Sequence, residues 1–290
     1  VAAARINEVF DAASREHAPS LAAAAPIPAH RPVPARTLPP GPLEVAFEGV
    51  SLRYEGAARP ALEDVWLRLP AGATVALFGS TGAGKSTLAA LLPRLYDPDL
   101  GTVRIGGHDI RTLDPHALRG RIGYVQQETI LFSGSVRDNL RFGCAGASDE
   151  DIAAAARAAQ ADDFIGRLPD GYDSILGQRG INLSGGQKQR LSIARALLLQ
   201  PSLLILDDST SAVDLATEAR ILGGIRALLP RTTCLLIAQR LSAAAAADLV
   251  VVLEQGRVVA HGTHAQLLES SAAYRDIHRS QAAMGTVSHD

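Results

Sequence analysis

Cysteine is nearly absent. The 290 residues hold two, Cys144 in a Gly/Ala-rich loop and Cys234 in the apolar run TTCLLIA, and no metal-ligand spacing links them. Two reduced thiols in a cytosolic domain are the expectation. An excess of basic charge is also missing, since the formal net charge is −2. Nucleic-acid binding usually needs a strongly basic face, so no such partner is expected. No apolar stretch reaches the roughly 18–20 residues that a membrane-crossing helix requires. The run LAAAAPIPA at 21–29 is not terminal, and charged residues precede it, which argues against a signal peptide. The first residue is Val rather than Met. The expectation is a piece of a longer chain, with any membrane-spanning part outside it. There is no internal repeat, and low complexity is confined to a linker and to alanine tracts such as Ala243–Ala247.

What is present is apolar material: 47% of residues are hydrophobic, enough for one large domain with an extension. Residues 1–18 have helical spacing, with Ile6, Val9, Phe10 and Ala13 on one face. Residues 19–42 hold eight prolines and read as an extended linker. Alternating patterns begin at Leu43, and LEVAFEGVSLRY and VWLRLPAGATVALFG read as a half-exposed sheet. TVALFG is a short buried strand running into a Gly-rich loop, and KSTLAALLPRLY then reads as a helix. TVRIGGHDI and RIGYVQQ read as strands. The middle, about 136–200, reads as helical, with Ser148 as N-cap of DEDIAAAARAAQADDFIGRL and Pro201 stopping LSIARALLLQ. SLLILDD, TTCLLIAQ and DLVVVLEQG give apolar strands between helical or polar stretches. Buried strands alternating with helices predict an α/β fold with a mostly parallel sheet.

The residues from Gly79 through Ser80, Thr81, Gly82, Ala83, Gly84, Lys85, Ser86 and Thr87 match G-x-x-x-x-G-K-[ST], between a strand and a helix as that motif demands. Glycines let such a loop curl until backbone N–H groups point at phosphate oxygens. Lys85 is placed to reach β- and γ-phosphates, and Ser86 to ligate Mg²⁺. Leu203–Asp207 is an apolar strand ending in a carboxylate, the usual place for an aspartate that holds Mg²⁺ through water. Leu183, Ser184, Gly185, Gly186 and Gln187 open a helix. Ser184 and Gln187 form a capping box, but capping needs no pair of glycines between them. The glycines free the backbone for an anion at a helix N-terminus.

A phosphate loop, then L-S-G-G-Q, then L-L-I-L-D closely followed by S-A-V-D resembles the nucleotide-binding domains of ABC transporters, over about residues 43–278. The resemblance is strongest to the exporter branch, in which this domain follows membrane helices on one chain. It implies a P-loop NTPase (RecA-like) core with an antiparallel β-subdomain and a helical signature subdomain at about 128–200. Residues 1–18 resemble the segment after an exporter's last membrane helix, and 279–290 are left as a tail. ATP and Mg²⁺ are the implied ligands. Tyr54 matches the aromatic that stacks on adenine. Gln127 matches the glutamine that touches Mg²⁺ (with Ser86 and Asp207) and the attacking water, with Gln126 as a competitor by register. Ser211, Ala212, Val213 and Asp214 match the loop that crosses the dimer interface. In this family two domains sandwich two ATPs, each held between one phosphate loop and the other domain's signature.

Three positions depart from the family pattern. Asp208 stands where a catalytic Glu is usual, Gln239 where the switch His is usual, and Gln178 where a Glu precedes the signature. Asp208 is one methylene short, which withdraws its carboxylate by about 1.5 Å. A misplacement of ~1 Å can cost ~10²-fold. Gln239 donates a hydrogen bond but cannot become cationic as His can. The resemblance therefore implies an ABC exporter ATPase domain at the cytoplasmic face of a membrane, weak in isolation. Its own site would be degenerate, and its signature would serve a non-identical second domain. A self-sufficient homodimer is the rival, and a soluble ABC protein of DNA repair or translation a third. The transported substrate is not legible.

Overall fold

The computed structural model of the protein describes residues 38–286. The helix expected over 1–18 and most of the 19–42 linker lie outside the described residues.

Burial along the strands separates two kinds of sheet. β1 (Val45–Leu52) and β2 (Leu62–Leu69) alternate: in β2, Leu62, Val65, Leu67 and Leu69 are buried while Trp66 is 63% exposed. One face packs and the other meets solvent. β3 (Thr74–Phe78) is instead buried from Val75 onward, and it feeds through residues 79–84 into α1 (Lys85–Leu91). β4 (Leu100–Ile105) and β5 (His108–Asp109) complete an antiparallel sheet of order β2-β1-β4-β5. After α2 (Pro115–Arg119), β6 (Ile122–Val125) joins the second sheet. The helix read over 85–96 is shorter than expected. Arg94 takes a left-handed φ of 55°, and Leu95 and Arg94 donate back to Ala90 and Leu91, a Schellman closure.

The helical subdomain follows. It contains β7 (Gly134–Ser135), α3 (Val136–Arg141), α4 (Asp149–Ala158), α5 (Asp162–Ile165), β8 (Ile175–Leu176) and α6 (Gly185–Leu198). Capping boxes start α3, α4 and α6, at Ser135, Ser148 and Ser184. Two expectations are corrected here. The short pair β7–β8 interrupts the helical stretch. The segment 149–168 is not one helix, because Gln160 turns left-handed at φ 57° and a second Schellman closure ends α4.

β9 (Leu203–Asp207), α7 (Leu215–Leu228), β10 (Thr233–Ile237), α8 (Leu241–Ala246), β11 (Leu249–Glu254), β12 (Arg257–Gly262), α9 (His264–Ser270) and α10 (Ala272–Thr286) complete the chain. The region set aside as a tail is thus helical as far as Thr286. The second sheet has order β12-β11-β3-β10-β9-β6, parallel except for the β11–β12 edge. Every residue of β9 and β10 is buried, as expected for strands covered on both faces. The α/β core, the antiparallel subdomain and the helical subdomain are all present. β3, β10, β9 and β6 are neighbours and parallel, so their carboxyl ends open on one crevice.

Candidate nucleotide site and signature helix

Four strand ends supply the site. β3 leads into the Gly-rich loop, β9 ends in Asp207, and Gln127 and Gln239 follow the ends of β6 and β10 by two residues. Together with Tyr54, Thr81, Gly82, Gly84, Lys85, Ser86 and Asp208 they line a cleft of about 330 Å³. Gly84 shows why the loop needs glycine: its φ is +101°, and a Cβ there would meet the Ala61 carbonyl at 2.5 Å. Lys85 Nζ donates to the carbonyls of Gly79 at 2.8 Å and Ser80 at 2.9 Å, which holds the ammonium inside the loop's mouth. Its burial lowers its pKa, while Asp207 and Asp208 oppose that shift.

Asp207 is buried and accepts from Ser86 Oγ at 3.1 Å and from the Tyr124 hydroxyl at 3.4 Å. Burial pushes its carboxyl above the ordinary range. A hydroxyl and a carboxylate so close together are hard oxygen donors of the kind Mg²⁺ takes when phosphate and water complete its shell. Among the described residues there is no cluster of three or more His, Cys, Asp or Glu, and a magnesium ion held in that way needs none. Asp208 carries a left-handed φ of 47°. Its Oδ2 accepts from Gln239 Nε2 at 2.8 Å and from Gln127 Nε2 at 3.4 Å. Burial and then Asp207 raise its pKa, opposed by Lys85, Arg240 and the Gln239 amide. Tyr54 donates from its hydroxyl to Thr87 Oγ1 at 3.1 Å and meets the Tyr96 ring edge-on at 5.3 Å. Gln127 lines this cleft, whereas Gln126 lines a different groove.

The five signature residues are not in the cleft. Leu183 is buried, Ser184 and Gly185 are exposed, and Ser184 caps α6: its Oγ accepts from Gln187 N, and its own N–H donates to Gln187 Oε1. A Cβ on Gly186 would meet the Ala212 carbonyl at 2.7 Å, so this glycine permits close packing on the 211–214 loop, a reason its sequence context did not reveal. Buried Gln189 ties the same two parts together. It donates to Ser211 Oγ at 3.2 Å and accepts from Ala212 N at 3.0 Å. Val213 is buried, and Asp214 caps α7 by accepting from Thr217 N. Buried Glu218 accepts from Thr210 and Ser242 and lies 3.6 Å from Arg240, which itself donates to the carbonyls of Val213 and Ser211. Tyr124, Gln189 and Glu218 were given no role by the sequence, and Arg240 was read only as the residue after Gln239.

A model of the ABC transporter family matches residues 62–211. An ABC transporter ATP-binding protein of Bacillus subtilis is 47% identical over 237 residues, which cover 82% of this chain and 41% of that protein. An ATP-dependent lipid A-core flippase of Albidiferax ferrireducens is 47% identical over 239 residues, with coverages of 82% and 41%. A bacterial Atm1-family ABC exporter solved with ATP bound superposes with a TM-score of 0.80 at 40% identity, over 86% of this chain and 45% of that one. The chain spans less than half the length of these relatives. With the phosphate loop, the Asp207 strand and the signature helix in place, the chain belongs to the ABC transporter family as an ATP-binding, ATP-hydrolysing domain.

Proposed function

We propose that this domain drives an exporter from the cytoplasmic face of a membrane, and that its own ATP site is degenerate while its signature completes the site of a non-identical partner domain. The observation that carries the degenerate reading is the Asp208 carboxylate, one methylene short and engaged by two glutamine amides. Amide donors stabilise the charged carboxylate and so weaken it as a base. Binding groups are retained: Lys85, Ser86, Asp207 and Gln127 face one cleft, with Tyr54 at its rim to stack on adenine. Leu183–Gln187 lie outside that cleft, which fits a role on ATP bound by another domain.

The raised pKa of Asp208 favours the rival reading, a self-sufficient homodimer, because a buried carboxylate is a stronger base. Restoration separates the two. In the assembled transporter, Asp208→Glu with Gln239→His is expected to raise hydrolysis at this site more than the single changes combined, since both groups act on one water and one phosphate. Simple additivity, or no gain, in a single-turnover assay would remove the degenerate reading.

An apolar groove of about 420 Å³ beside Glu128 suits the membrane-spanning part as partner. Ile130, Phe132 and Phe142 are exposed there, with the two phenylalanine rings stacked at 4.4 Å. Patches of this kind mark docking sites.

A further inference from the structure

The C-terminal helix reaches the segment that carries Gln239. Gln281 on α10 accepts the backbone N–H of Leu241 at 2.8 Å through Oε1, and its Nε2 donates to the backbone carbonyl of Gln239. These two backbone groups flank Arg240. α8 begins at Leu241, and its N-cap, Arg240, offers the helix no side-chain hydrogen bond. Helix N-termini leave N–H groups that need a partner, and Gln281 supplies one from a different helix. On the other side of the same segment, the Gln239 side chain donates to Asp208. A continuous chain of contacts therefore runs from α10 through the backbone of residue 239 to the carboxylate in the nucleotide cleft.

The base of α10 is anchored. Tyr274 is fully buried, meets Phe78 edge-on at 6.2 Å and hydrogen-bonds His264 Nδ1 at 2.6 Å. Phe78 is the last residue of β3, next to Gly79 of the phosphate loop. α10 is thus braced against the strand that presents the phosphate loop, and Gln281 lies about two helical turns further along it. Between α10 and that loop an open cleft of about 530 Å³ is lined by Ser80, Lys85, Gln239, Asp276, Ser280 and Gln281.

We propose that Gln281 is a positioning residue for the switch: it fixes the backbone at 239–241 so that the Gln239 side chain faces Asp208 and the γ-phosphate, and it couples α10 to the nucleotide site. The inference rests on Gln239 acting as the switch residue of an ATP site. The test uses the full chain with Gln281→Leu, which removes both contacts, and Gln281→Glu, which keeps only the acceptor. Two quantities are read: hydrogen exchange at the Leu241 amide, and the ratio of Mg-ATP to Mg-ADP affinity by calorimetry. Gln281→Leu is expected to speed exchange at Leu241 and to lower the affinity ratio, each by about fivefold, the equivalent of one net hydrogen bond. Gln281→Glu should keep the Leu241 protection and lose the affinity preference. In a Gln239→Ala background, Gln281→Leu should leave the ratio unchanged, because the residue acts through Gln239. Unchanged exchange in Gln281→Leu overturns the proposal, and so does an equal drop of the ratio in both backgrounds, which is what a merely structural role produces. If the parent chain binds no Mg-ATP, the ATP-site reading fails instead, and the exchange arm still decides the clamp.

Discussion

Asp207 and Asp208 are adjacent, buried and both pushed toward the protonated form. A carboxyl whose folded pKa lies above its unfolded value favours folding at low pH, and this contribution is lost as pH rises through the folded pKa. Burial is the larger cause at both, and Asp207 adds to it at Asp208, so the fold carries a cost for each negative charge it holds there. Asp207→Asn removes one charge and keeps the shape. It is expected to raise the thermal midpoint of the nucleotide-free protein by a few degrees, and to abolish the further rise that Mg²⁺ adds to ATP binding. Thermal melts with ATP, with and without Mg²⁺, measure both effects; a midpoint that falls would remove the claim of electrostatic strain. At this scale the sequence was informative where motifs fix spacing: residues 79–84 form the loop between β3 and α1, Asp207 ends β9, and Gln127 lines the same cleft. It was silent on Tyr124 and Gln189, because their partners Asp207 and Ala212 are far along the chain and meet them only through tertiary packing.

Helix beginnings were more legible than helix ends. Ser148 and Ser184 announce their helices by capping boxes, a signal that lies within four residues. The ends of α1 and α4 carry no glycine: Arg94 and Gln160 occupy the left-handed position that glycine usually fills, so the reading ran each helix too far. That position makes a prediction. A non-glycine residue held left-handed costs about 1–2 kcal/mol. Replacement by glycine removes this cost, while the freedom gained by the unfolded chain offsets roughly 0.4–1 kcal/mol of the gain. The backbone carbonyl of Gln160, which accepts from Arg190, survives the change. Gln160→Gly is therefore expected to stabilise the protein by about 0.5–1 kcal/mol with nucleotide binding unaltered. Denaturant unfolding monitors this directly, and a destabilised variant would show that the Gln160 side chain, bonded to the Arg157 carbonyl, outweighs the backbone strain.

At the scale of the molecule, the phosphate cleft and the signature lie on different subdomains, and the five signature residues do not line the cleft. Their tie runs instead through Gln189 and Gly186 to the 211–214 loop, and from there through Arg240 and Glu218 to the segment after Gln239. One series of contacts thus links the start of α6 to the segment that carries Gln239. On the proposed reading the partner's site carries most of the turnover. Ser184 is exposed at the start of a helix of fourteen residues, and N–H donors aimed at developing charge in a water-poor site are worth ~3–4 kcal/mol, roughly 10²–10³ in rate. Gly186→Asp is a poorer probe than Ser184→Arg, since any side chain at 186 also collides with Ala212. In the assembled transporter, Ser184→Arg is expected to remove most ATPase activity, by about 10²-fold or more, because the long side chain fills the place of the partner's γ-phosphate. Asp208→Asn is expected to leave more than about half, because a site already short of a well-placed base loses little of the ~10²–10⁴-fold such a base supplies. Both variants are measured in membranes at saturating ATP. Equal damage from the two would make Asp208 the working base, and the homodimer would then be the better account of this chain.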